Sequence, residues 1–160
     1  MLYLLFQIGD DRYAVDARQA VEVIPLLALK RIPQSPRGVA GILNYRGQPV
    51  PALDLCELTV DRPARERLST RIILVNYSDS AGCSRQLGLI AEHATEMMRC
   101  EECDFVDSGM NVGNAPYLGP VLMEGKGIIQ LIHASRLAGL AENVREMLPA
   151  EASDLSHESR

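Results

Sequence analysis

The stretch GILNYRGQPVPALDL (residues 41–55) decides the fold. An apolar run enters it, an apolar run leaves it, and Asn44, Tyr45, Arg46 and Gly47 stand between them. Two such runs around a glycine-bearing tip predict a β-hairpin. Gly47 should take a positive φ to close the turn, and Asn44 can bond the turn backbone. Pro49 and Pro51 sit two apart in the second run. Neither can donate to a ladder, so both should point their missing N–H away from a partner strand. That favours an edge strand or an irregular start.

Working outward, strand signals dominate. LYLLFQI (2–8) alternates, with Leu2, Leu4, Phe6 and Ile8 on one face and Tyr3, Leu5 and Gln7 on the other. GDDR makes a turn and YAV (13–15) resumes the strand. Asp16 is placed to cap a short helix over ARQAVEVI (17–24), against the preference of the β-branched Val21, Val23 and Ile24. Pro33 and Pro36 punctuate a crossing segment. Residues 56–70 suggest a short helix and a connection. RIILVNY (71–77) is a strand and SDSAGCSR (78–85) a hairpin loop. Residues 86–100 form one or two strands bent near His93. Residues 101–117 are loop-like, and 117–132 make a further hairpin turning at EGKG. Residues 133–148 carry apolar side chains at helical spacing, and 149–160 form a polar tail expected to be disordered. Roughly nine or ten short strands with frequent turns predict an all-β protein of small barrels or a sandwich.

The chain has 160 residues, 47% of them hydrophobic, which suits a well-buried core. No apolar run is long enough for a membrane helix, and the N-terminus lacks the features of a signal peptide. A cytoplasmic protein is expected. The net charge of −5 and pI of about 5.2 argue against a duplex-binding surface. The basic cluster RPARER (62–67) is itself broken by Glu66.

Catalytic chemistry is hard to find. Cys100 and Cys103 form a C-x-x-C pair that could bind zinc or do redox work, but no second pair is suitably spaced for a four-ligand site. Glu101, Glu102 and Asp104 crowd the pair, and acidic neighbours raise a thiol pKa. His93 and His133 each follow an apolar strand and suit local bonding. No cofactor or metal is expected. What remains is recognition. A β-rich domain with exposed tips and no catalytic set is a binding module before it is an enzyme. A thiol or zinc protein using Cys100 and Cys103, and a nucleic-acid-binding barrel, are the competing classes. On residue type alone, Arg46 could be a solvated turn residue and Glu22 a solvated face residue.

The ordered set F-x-I-G-D-x-x-Y-A-V-D (6–16), A-V-E-V-I (20–24), I-P-x-x-P-x-x-V-A-G-I-L-N-Y-R-G (32–47) and V-P-A-L-D-L (50–55) closely resembles the CheW-like family of chemosensory coupling proteins. The likeness continues through RIILV (71–75), LGLIAE (87–92), YLG (117–119) and IIQLIHASRL (128–137). It implies a mainly β fold of two packed SH3-like five-stranded barrels with short helices and a C-terminal helix. These would form a CheW-like domain over 1–148, followed by the tail 149–160. It implies non-enzymatic coupling of chemoreceptor cytoplasmic tips to the regulatory domain of a CheA-type histidine kinase, in chemotaxis or an alternative pathway such as surface sensing. Membrane association would come only through the receptor array. Carried over by motif, Arg46, Asn44, Gly47 and Glu22 would lie on the receptor side, with Arg46 held outward or braced against Glu22. Four positions depart from the usual family pattern: Tyr45 replaces an aliphatic residue, Ala91-Glu92 replaces Val-Asp, and His133 replaces Asp.

Overall fold

The computed structural model describes residues 1–109, 113, 115–125 and 127–147. Its strands are β1 (Leu2–Ile8), β2 (Asp11–Asp16), β3 (Ala20–Pro25), β4 (Val39–Tyr45), β5 (Gln48–Asp54), β6 (Arg71–Ser78), β7 (Ser84–Arg99), β8 (Leu118–Glu124) and β9 (Gly127–Ile132). Helix α1 (Leu55–Val60) follows β5, and α2 (Ala138–Met147) closes the described chain after a single 3-10 turn. Leu148 and the expected tail lie outside the described residues.

The 16-residue strand β7 organises everything else. Its first half pairs antiparallel with β6 and parallel with β5, and its second half pairs antiparallel with β1. The change of partner comes at the expected bend. His93 adopts a left-handed φ of 50°, and the β1 register skips between Leu5 and Gln7. One sheet therefore runs β3-β6-β7-β5-β4 and the other β7-β1-β2-β9-β8, sharing β7. Each is closed by a short bridge. Lys30 exchanges backbone hydrogen bonds of 3.0 and 2.8 Å with Ile42, and Val106 exchanges two of 2.8 Å with Val121. The result is two small five-stranded barrels, the all-β architecture expected.

Three apolar clusters fill them. Leu43, Val50, Ala52, Ile72, Leu74 and Ile90 occupy one barrel, and Tyr3, Leu5, Ala14, Leu122 and Ile129 the other. The largest cluster draws on both, with Leu4, Phe6 and Ile8 from β1, Ile73 and Val75 from β6, and Leu87 and Leu89 from β7. Strands β1 and β6 are thus buried on both faces. This is why LYLLF and IILV carry apolar side chains on both faces of the strand.

The sequence expectation needs one correction. Residues 17–24 do not form a helix. Ala17–Gln19 make a turn, and β3 starts at Ala20 and pairs with β6. The β-branched Val21, Val23 and Ile24 fit the pleated ladder better than a helix. The Asp16 carboxylate does cap, but it caps this turn, accepting from the Arg18 amide at 2.9 Å and pairing with the Arg18 guanidinium. The prolines behave as expected. In the β4–β5 register Pro49 faces Asn44 and Pro51 faces Ile42. Both are non-hydrogen-bonded positions, so their missing N–H groups point away from β4. The parallel pairing with β7 begins only at Ala52. β5 thus has an irregular start and is not an edge strand throughout.

Candidate partner-binding site

The β4–β5 hairpin turns on two residues, Arg46 and Gly47, with φ of 51° and 82°. Positive φ at both central positions is the turn whose twist matches the flanking strands. Gly47 adopts it freely, as expected. Arg46 does so too, which was not expected, and for a residue with a Cβ this costs about 1 kcal/mol. The Asn44 side chain locks the turn, its Oδ1 accepting from the Gly47 amide at 2.9 Å.

Glu22 arrives at this tip from β3. A register skip between Ala20 and Glu22 displaces it within the β3–β6 ladder. Its carboxylate accepts a hydrogen bond from the Tyr45 hydroxyl. The same oxygen, Oε2, lies 3.5 Å from Arg46 Nη2. The Arg46 guanidinium also sits 5.1 Å from the centroid of the Tyr45 ring, within cation–π range. The hydrogen bond to Glu22, then partial desolvation, raises the Tyr45 phenol above its ordinary range. Arg46 remains 75% exposed. Chemically, the tip offers a cation on a rigid turn, suited to carboxylates and carbonyl groups.

All four residues singled out in the sequence, Glu22, Asn44, Arg46 and Gly47, thus converge on one tip. A model of the CheW-like domain matches residues 2–142. The chain belongs to the CheW-like family. It is 26% identical over 102 residues to the chemotaxis protein CheW of Helicobacter pylori, covering 64% of this chain and 59% of that one. It is 25% identical over 138 residues to protein FrzA of Myxococcus xanthus, covering 84% and 83%. It therefore spans a little over half the length of the Helicobacter relative and most of FrzA. The crystal structure of scaffolding protein TtCheW from Thermoanaerobacter tengcongensis matches with a TM-score of 0.73 at 22% identity, over 85% of this chain and 86% of that one. A likeness at that identity is one of fold.

The other candidates lie apart from this tip. Burial, followed by the charge of Asp104, pushes the Cys100 thiol up, which keeps the thiolate scarce. Cys56 is fully buried, and burial pushes its thiol up to about 11. All four cysteines are free, and among the described residues no three His, Cys, Asp or Glu side chains are grouped to hold a metal ion. His133 lies at the end of β9, its amide donating to the Tyr117 carbonyl. Burial, then Arg136, lowers the His133 pKa. No helix among the described residues is long and apolar enough to cross a membrane.

Sequence reasoning noticed Tyr45 only as a departure and gave it no part in the site. Its place beside Arg46 was visible. Its bond to Glu22, 23 residues away in the chain, was not.

Proposed function

We propose that this protein is a non-enzymatic coupling protein of a chemosensory array. It would link chemoreceptor cytoplasmic tips to the regulatory domain of a CheA-type histidine kinase, in chemotaxis or an alternative pathway such as surface sensing. The receptor side is formed by Arg46, Glu22, Asn44 and Gly47, and the kinase domain docks on a different barrel surface. The protein works in the cytoplasm and meets the membrane only through the receptor. Membership of the CheW-like family over residues 2–142 supports this reading. The observation that carries the site is Arg46 itself. It is held at a left-handed φ where glycine would be more comfortable, and it is three-quarters exposed. Such strain is kept where a side chain has work to do.

The test is Arg46→Glu. Binding to a receptor cytoplasmic-tip fragment, measured by calorimetry, is expected to weaken by about 30-fold, matching the roughly 2 kcal/mol of a central interface arginine. Charge reversal should exceed Arg46→Ala, because repulsion is added to a lost hydrogen bond. Kinase binding and the melting curve should hold. Unchanged binding to both partners in a folded variant rejects this site.

A further inference from the structure

Glu22 and Arg46 are an acid and a base within reach of one another on an exposed tip, and such a pair would ordinarily close on itself. A free carboxylate facing a guanidinium forms a bidentate pair with bonds of about 2.8 Å. That pair would satisfy the arginine internally and leave little charge to offer a partner. Here it has not formed. Glu22 Oε2 is taken by the Tyr45 hydroxyl, and Arg46 Nη2 stands off at 3.5 Å. The guanidinium lies instead over the Tyr45 ring. The ring is a firm support, because it packs against the buried Leu43–Val50–Ile72 cluster of its barrel.

We propose that Tyr45 is a positioning residue for Arg46: its hydroxyl occupies Glu22 and its ring supports the guanidinium, so the arginine's donors stay free for a carboxylate or helix-end carbonyl of the partner. This rests on the receptor-coupling reading above and adds to it the residue that tunes contact strength. The two halves of Tyr45 act separately. The phenol restrains Glu22, and the face of the ring holds the cation. Phenylalanine would keep the second and lose the first. Leucine would lose both.

The experiment measures binding of a receptor cytoplasmic-tip fragment to the full chain by calorimetry, with a melting curve for each variant. Tyr45→Phe is expected to weaken binding about 5-fold, the scale of one ordinary hydrogen bond. Tyr45→Leu should weaken it further. The decisive comparison repeats Tyr45→Phe in a Glu22→Gln background. There no carboxylate competes for Arg46, so the effect should shrink to about 2-fold or less, a coupling that a double-mutant cycle reads directly. A readout without any partner accompanies it. The Tyr45 phenol, followed by ring-carbon NMR, should titrate lower in Glu22→Gln than in the unaltered chain. Should Tyr45→Leu fail to fold, Tyr45→Phe still decides, since it preserves the packed ring. If Arg46→Glu leaves receptor binding intact, the receptor reading falls and this inference with it. If Arg46→Glu weakens binding but Tyr45→Phe does not, or its effect persists undiminished beside Glu22→Gln, the inference alone is overturned.

Discussion

Arg46 occupies a backbone conformation that stability would not select for it. At φ of 51° its Cβ meets the following carbonyl, a cost of about 1 kcal/mol that glycine avoids. The compensations are small: an ion pair at 3.5 Å and a ring contact, both at an exposed tip. Exposed pairs of this kind contribute about 0–1 kcal/mol. Arg46→Gly should therefore leave the urea midpoint of unfolding nearly unchanged, within about 0.5 kcal/mol. A loss beyond about 1.5 kcal/mol would make Arg46 a structural brace and remove the reason for assigning it to binding. Asn44 and Gly47 carry the turn itself. Their chemistry is legible from residue type, because a side-chain cap and a positive-φ glycine act within three residues.

Among the elements, the connection from α1 to β6 shows how buried charge can hold a loop in place. Asp54 caps α1 through the amides of Cys56 and Glu57, at 3.0 and 3.3 Å, and its other oxygen takes the Ala64 amide at 2.8 Å. Glu92 of β7, almost fully buried, accepts both terminal nitrogens of Arg62 at 3.1 and 3.0 Å and the Arg65 amide at 2.6 Å. Burial alone would raise the Glu92 carboxyl. The Arg62 hydrogen bonds, the Arg65 amide and the arginine's charge outweigh it, so the carboxyl sits below its ordinary range. Its stabilising effect is therefore fully present above the unfolded glutamate pKa and is lost as pH falls through the folded value. Asp54 works the other way. Burial raises it, so its contribution is present below the unfolded value and fades as pH rises through the folded one. Arg62→Ala should cost about 2–3 kcal/mol at neutral pH, somewhat below a fully buried pair because the guanidinium is partly open to water. Glu92→Gln should flatten the acid limb of stability against pH, measured as urea midpoints. An acid limb unchanged in Glu92→Gln would show that other carboxylates set it.

For the whole molecule, sharing β7 has a thermodynamic consequence. Neither barrel can lose β7 without opening the other, and the largest apolar cluster belongs to both. The described domain should therefore unfold in one cooperative step. Far-ultraviolet dichroism and tyrosine fluorescence report on strands and on local packing respectively, and their denaturation curves should coincide. The tyrosines sample both halves, with Tyr3 in one barrel's cluster, Tyr45 against the other's, and Tyr13, Tyr77 and Tyr117 in the shared layer. Separated transitions would mean that the barrels are independent units despite the common strand.

The sequence by itself determined that strands dominate, the hairpin tip with its locking asparagine and closing glycine, the bend at His93 and the direction in which two prolines turn their backs. These depend on φ limits, missing donors and side chains that bond their own backbone, all acting over a few residues. Tertiary structure decided the rest. Residues 17–24 became a turn and a strand because β6 offered a ladder partner, an outcome no local preference specified. The alternation seen in 2–8 was real, yet both its faces are buried, because a second barrel covers what would otherwise be the outer one. Glu22 met Tyr45 and Arg46 only when β3 and the β4–β5 hairpin closed the same barrel. Hydrogen bonding between strands and burial of apolar faces couple residues far apart in the chain, and that coupling sets which side chains become neighbours.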